Sequence, residues 1–182
     1  MNHLDHVALI RDGVVDPPGG EPTTWADVGA GTGAFTLALA DLLSAGSRII
    51  AVDRDATALE ANAHAVAARF PGVALEPVVA DLTGSTDLPP LDGLVAANVL
   101  HFVDPRRRTD TVTRLVEHLR PDGRFVLVEY ETSRPTSWLP YPLPFAEWEE
   151  LAAAAGLVGV ERIGAYPGAS GGGMYAALAR VP

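Results

Sequence analysis

The sequence predicts a three-layer α/β/α fold, a doubly wound and mainly parallel seven-stranded sheet with an antiparallel strand near its C-terminal end. Three observations predict it. Short apolar runs alternate with helix-patterned segments along most of the 182 residues, as in parallel sheets covered on both faces. A glycine-rich stretch, Asp27 to Gly33, stands where the first apolar run gives way to a helix pattern. The last two strand-like runs are joined too briefly to be anything but antiparallel.

Taken in order, His3 to Arg11 has room for one short helix, and Pro17-Pro18-Gly19-Gly20 interrupts the chain after it. Residues 1–22 are thus a short N-terminal segment, and 23–182 are expected to form one domain. Thr23 to Val28 reads as the first strand. Phe35 to Ser44 is the helix after it, stopped by Gly46. Arg48 to Val52 is a second strand, apolar without a break from Ile49 to Val52, as burial on both faces requires. Asp55 can cap a helix reaching about Phe70, which Pro71-Gly72 ends. Val73 to Val79 and Asp92 to Asn98 are strands three and four.

Asp104-Pro105 opens a further helix, with aspartate as cap and proline in the first turn. Val112, Leu115, Val116 and Leu119 form its apolar stripe. Pro121-Asp122-Gly123 is expected to turn the chain into a fifth strand, Arg124 to Glu129. Thr132 to Pro144 combines prolines and serines with Trp138 and Tyr141, and reads as an ordered loop. Phe145 to Ala155 is a helix with Phe145 and Trp148 toward the core. Strands Val158 to Ala165 and Gly173 to Ala179 close the chain, joined by Tyr166 to Gly172.

Composition narrows the function. Hydrophobic residues make up 48%, which marks a globular protein. The formal net charge of −10 repels phosphate backbones and argues against general nucleic-acid binding. Arg106-Arg107-Arg108 is the one basic cluster and reads as a solvated helix face. With no cysteine, disulfides and thiolate metal sites are excluded, and a reducing, cytoplasmic compartment is the simple reading. His3, His6, His64 and His118 lack zinc spacing and read as surface groups, so no metal is expected. No stretch has the roughly 18 apolar residues a membrane span needs.

Glycines between a buried strand and a helix allow backbone angles closed to other residues. They also let a ligand lie against the main chain, where the helix start offers free N–H groups. About 20 residues after such a loop, an acid at the end of the second strand can accept from both hydroxyls of a ribose; Asp53 stands there. Alone, Gly29-Ala30-Gly31-Thr32-Gly33-Ala34 also satisfies a loose dinucleotide fingerprint. Asp81-Leu82 and Asn98 end strands three and four, so four successive strand ends place polar groups on one rim.

With those residues the chain resembles the class I S-adenosylmethionine-dependent methyltransferase family, over roughly residues 23 to 130. Asp27-x-Gly29-x-Gly31-x-Gly33 is similar to its first motif, Val52-Asp53 to its ribose-binding acid, and Ala80-Asp81-Leu82 to its adenine contact. Ala97 to Phe102 with Asp104-Pro105, and Leu119 to Phe125, resemble the fourth- and fifth-strand motifs of its small-molecule members. The resemblance implies S-adenosylmethionine as cofactor and a small-molecule acceptor. It implies that Gly29, Ala30, Gly31, Thr32 and Gly33 pass under the methionine part, with Asp27 near its amino group. It implies Asp53 on the ribose, Arg54 along the adenine plane, Asp81 on the adenine amino group, the Leu82 backbone against the ring, and Asn98 near the sulfonium.

For chemistry, His101 is the candidate general base; the bland alternative is a loop histidine bonded to backbone. Tyr130, Trp138 and Tyr141 are candidate walls of an acceptor pocket, while Glu129 and Glu131 either contact an acceptor or finish the strand in water. The short N-terminus leaves the acceptor side open, covered by a partner, or shielded by the 132–144 loop. A homodimer, a non-catalytic cofactor-binding subunit and an NAD-binding oxidoreductase domain remain alternatives.

Overall fold

The computed structural model describes residues 1–15, 19–168 and 173–182. Pro17-Pro18 and most of the connection before the last strand (Ala169 to Gly172) lie outside the described residues. Seven strands form one sheet: β1 (Thr24–Val28), β2 (Arg48–Asp53), β3 (Ala74–Val79), β4 (Leu91–Ala97), β5 (Leu119–Tyr130), β6 (Val158–Tyr166) and β7 (Met174–Arg180). Their order is β3-β2-β1-β4-β5-β7-β6. Pairs among β1 to β5 are parallel, and β7 runs antiparallel to both β5 and β6. The expected fold class is the observed one.

The helices are α1 (His3–Ile10), α2 (Ala34–Leu42), α3 (Ala56–Arg69), α4 (Pro105–Val116) and α5 (Phe145–Ala154). Alternating strand residues feed two cores. Val7, Phe35, Leu39 and Val66 of α1 to α3 meet Trp25, Ile49, Val95 and Val126 on one face. Val112, Leu115, Trp148 and Leu151 of α4 and α5 meet Ala26, Ile50, Leu94 and Phe125 on the other. Capping follows the sequence: Asp55 accepts from Thr57 N (2.9 Å) and Ala58 N (3.1 Å), and Asp104 from Arg106 N (2.9 Å). The N-terminal helix packs on α2 and β6.

Two expectations are corrected. Pro121-Asp122-Gly123 does not precede the fifth strand but lies inside it, and Leu119 belongs to β5 rather than to the stripe of α4. Leu91 already pairs with Leu119, and the next pair is Gly93 with Arg124. The surplus residues of β5 form a bulge, with Asp122 at φ +62°. The chain accepts it because His118 O and Leu91 N close a 2.8 Å hydrogen bond ahead of it.

The third strand is an edge strand, mostly exposed, with Pro77 in it. The order reverses between β1, which leads out to β2 and β3, and β4, which leads to β5. Such a switch point opens a crevice at the carboxyl ends of the two strands.

Candidate cofactor cavity

That crevice holds a cavity of about 590 Å³, lined by residues from the ends of β1 to β4 and the segments after them. The volume is within the range of small-molecule sites. Of the residues expected at a cofactor, Gly29, Gly31, Thr32, Asp53, Arg54, Asp81, Leu82 and Asn98 line it. Asp27, Ala30 and Gly33 do not, being buried.

Local structure explains the loop. Gly29 N and Ala30 N both donate to Val52 O, at 2.8 and 3.0 Å, so the turn is fastened to the end of β2. Gly33 has φ +96°, and a Cβ there would stand 2.2 Å from Asn62 Oδ1. Gly31 is the reverse case, since nothing lies within 4 Å of its absent Cβ: that side of the loop is open. Gly33→Ala combines left-handed strain with displacement of Asn62. It is expected to cost about 2–3 kcal/mol, read from denaturant unfolding; an unchanged midpoint would count against this account.

Asp53 joins loop and strand. Its Oδ2 accepts from Gly31 N (2.8 Å) and its Oδ1 from Asp55 N (2.9 Å). A carboxylate has about four lone-pair sites, so each oxygen keeps acceptor capacity for a ligand hydroxyl. Asp81 accepts from Thr83 N (2.8 Å) and Thr83 Oγ1 (2.7 Å). The Thr83 hydrogen bonds hold its carboxyl below the usual range. Asn98 has φ +54°, its N–H donates to Val128 O (2.8 Å), and its buried Oδ1 has no partner. A buried polar atom costs free energy unless it is bonded, and this one belongs to a cavity-lining residue.

Asp27 is buried on the α2 face of β1. It accepts from Thr36 Oγ1 (2.5 Å), which accepts in turn from Asn62 Nδ2 (2.7 Å). Burial pushes the Asp27 carboxyl up to about 7, against the opposing effect of the Thr36 hydroxyl. Asn62 and Thr36 are absent from the sequence expectations.

Beyond Asn98, the short turn Leu100–Phe102 carries His101, which is 3% exposed and outside the cavity lining. Glu129 is wholly buried and does not finish its strand in water. Its two oxygens lie 2.8 Å from His101 Nδ1 and 3.1 Å from His101 N. Phe102 and Tyr141 line the cavity. Tyr130 stacks edge-on to Trp138 at 5.1 Å, outside it.

Arg106 is exposed on Asp104, and Arg107 lines the cavity while donating to Thr83 O (3.0 Å). Arg108, however, is 4% exposed. The arginine cluster is therefore not one solvated face, because α4 turns its third member inward. His3 lies 2.9 Å from Asp41, and His64 is exposed. Among the described residues no group of His, Asp or Glu side chains could hold a metal ion, and no helix is long and apolar enough to cross a membrane.

A family model described as a methyltransferase domain matches residues 26–125. Comparison with curated protein sequences finds no match. Solved structures similar to the chain include the Burkholderia thailandensis 1,6-didemethyltoxoflavin-N1-methyltransferase, bound to 1,6-didemethyltoxoflavin and S-adenosylhomocysteine (23% identity, TM-score 0.72, covering 98% of this chain and 76% of that one). The YcgJ protein of Bacillus subtilis is 14% identical at TM-score 0.73, with 99% of each chain covered. The [4+2]-cyclase SpnF is 16% identical at TM-score 0.73, covering 99% of this chain and 81% of that one. At these identities the likeness is one of fold, and a fold hosts more than one chemistry. The family model takes in more than half of the chain, from β1 into β5, and with it every residue of the cavity lining but Tyr141: the protein belongs to the class I methyltransferase family.

Proposed function

We propose that the chain is an S-adenosylmethionine-dependent methyltransferase acting on a small-molecule acceptor. The observation that carries this reading is the convergence of the open Gly31 main chain, Asp53, Asp81 and Asn98, whose buried Oδ1 is unpartnered, on one cavity. These residues fit the cofactor: acceptors for hydroxyl and amino groups, a bare main chain, and a buried oxygen lacking a donor.

The bound cofactor supplies a methyl group on a cationic sulfur. Gly29, Gly31 and Thr32 would carry the methionine portion, and Asp27, buried on β1, would act as countercharge to its ammonium. Asp53 would accept from the ribose hydroxyls and Asp81 from the adenine amino group, and Arg54 and Leu82 would flank the ring. Asn98 would lie near the sulfonium. Direct displacement asks the protein mainly for alignment, which can supply up to roughly 7–11 kcal/mol. His101 takes the acceptor's proton where the acceptor needs to lose one, its Nδ1 held by Glu129 so that Nε2 is free to accept. Tyr130, Trp138 and Tyr141 border the acceptor, Tyr141 from the wall of the cofactor cavity.

Calorimetry with S-adenosylhomocysteine and with NAD tests the cofactor. Binding of the first and not the second is expected; the reverse would overturn the reading. Asp53→Ala is expected to weaken S-adenosylhomocysteine about 10- to 100-fold, through lost ribose bonds and a loosened Gly31. Unchanged affinity would place the ribose elsewhere. A screen of methyl acceptors separates an enzyme from a cofactor-binding subunit.

A further inference from the structure

Arg108 has no part in the proposed methyl transfer, yet it is the one arginine of the 106–108 cluster that is buried. A buried guanidinium is costly unless its donors are used. Arg108 is 4% exposed, and burial lowers the stability of its charge, with Glu129 the foremost group that restores it. Its Nε has no partner. Its two terminal nitrogens donate to main-chain carbonyls of the loop between β5 and α5: Nη2 to Tyr141 O (2.5 Å) and Nη1 to Pro142 O (3.4 Å).

The same stretch is held at its neighbours. Tyr141 N donates to His101 O (3.0 Å), and the buried Tyr175 Oη donates to Leu143 O (2.7 Å). Tyr141 is therefore gripped through both its N–H and its C=O by the segment that follows β4, while its side chain is left partly exposed. Of residues 132–144, Tyr141 is the one that lines the cofactor cavity.

We propose that Arg108 is a positioning residue for the cofactor cavity: by binding the carbonyls of Tyr141 and Pro142 it fixes the Tyr141 ring as a wall against the bound S-adenosyl group. The proposal rests on the cofactor reading given under Proposed function. An arginine suits the task because its planar fork can meet two successive carbonyls, whereas lysine offers a point charge. The loop thus contributes to the cavity through one ring, set by a helix that itself contributes Arg107 to the lining.

The test is a double-mutant cycle read by calorimetry with S-adenosylhomocysteine. Arg108→Met and Tyr141→Ala are each expected to weaken binding about tenfold. If Arg108 acts through the Tyr141 ring, the double variant binds within about twofold of the weaker single variant, because the ring is already gone. Independent contributions would multiply to about a hundredfold, and that result overturns the proposal, as does Arg108→Met binding like the wild type. Should Arg108→Met fail to fold, Arg108→Lys takes its place in the cycle. It is expected to lose about threefold, and to lose nothing further in the Tyr141→Ala background. Wild-type protein that takes up no S-adenosylhomocysteine would sink the cofactor reading and this proposal together; uptake with multiplicative losses would sink only the second.

Discussion

Glu129→Ala is expected to remove about 3–5 kcal/mol of stability, the scale seen when one partner of a buried pair is deleted. The carboxylate is wholly buried and accepts from His101 N (3.1 Å), His101 Nδ1 (2.8 Å) and Tyr130 N (3.3 Å). Truncation strands these donors in the core, and each buried donor left without a partner costs about 1–3 kcal/mol. It also removes the acidic group foremost in favouring the Arg108 charge. Chemical denaturation gives the loss directly, and a loss below about 1 kcal/mol would mean the cluster finds other partners.

The same cluster separates architecture from chemistry. Glu129→Gln keeps the volume but offers one oxygen where two are used. If Glu129 only braces the fold, the kcat of this variant and the shape of its pH profile match the wild type. If it also fixes the His101 tautomer for proton removal, kcat falls by about a hundredfold or more, with S-adenosylhomocysteine affinity nearly unchanged. His101→Gln then shows the same loss.

The layering was legible because apolar runs and glycine stops punctuate the sequence at the right intervals. Four of the strand ends, with Asp53, Asp81 and Asn98, followed from them. What escaped are polar residues set within apolar stripes. Asn62 lies between Leu59 and Val66 at helical spacing, and all three are buried. Arg108 precedes Val112 by one turn and Leu115 by two, on the buried side of α4. Glu129 continues the face of Phe125 and Leu127 on β5. Each was open to detection by its position, but residue type argued for water, and position prevails where partners wait inside. The bulge at Pro121-Asp122-Gly123 escaped for another reason. Its residues favour turns, and pairings distant in sequence, Leu91 with Leu119 before it and Val181 N with Gly123 O within it, keep them in the strand. Trp138 and Tyr141 bring a different lesson: both are exposed aromatic residues of one loop, and only Tyr141 reaches the cavity.

Asp27→Asn should divide stability from binding more sharply than any other single change. Burial raises the folded-state carboxyl to about 7, against about 3.9 in an unfolded chain. Between those values the folded protein holds a proton that the unfolded chain has released. Stability therefore falls as pH rises from about 4 to about 7, by about 1.4 kcal/mol per unit where the slope is steepest, and levels off above 7. The full effect is on the order of 4 kcal/mol. The asparagine side chain carries no such proton, so the stability of the ligand-free variant relative to wild type should climb across pH 5–7 and stay level at pH 8.

On the proposed cofactor reading, binding shifts Asp27 toward its carboxylate. A ligand ammonium near Asp27 would favour its carboxylate, so binding to the wild type at pH 6.5 should release a proton, visible as a calorimetric heat that scales with buffer ionisation enthalpy. The asparagine variant should lose both that proton and about a hundredfold in S-adenosylhomocysteine affinity. A variant that bound as tightly as the wild type, with no gain in stability at pH 8, would show that Asp27 serves Thr36 and Asn62 alone. On the expected outcome, a carboxylate that costs the empty fold stability at neutral pH is retained for the ligand that neutralises it.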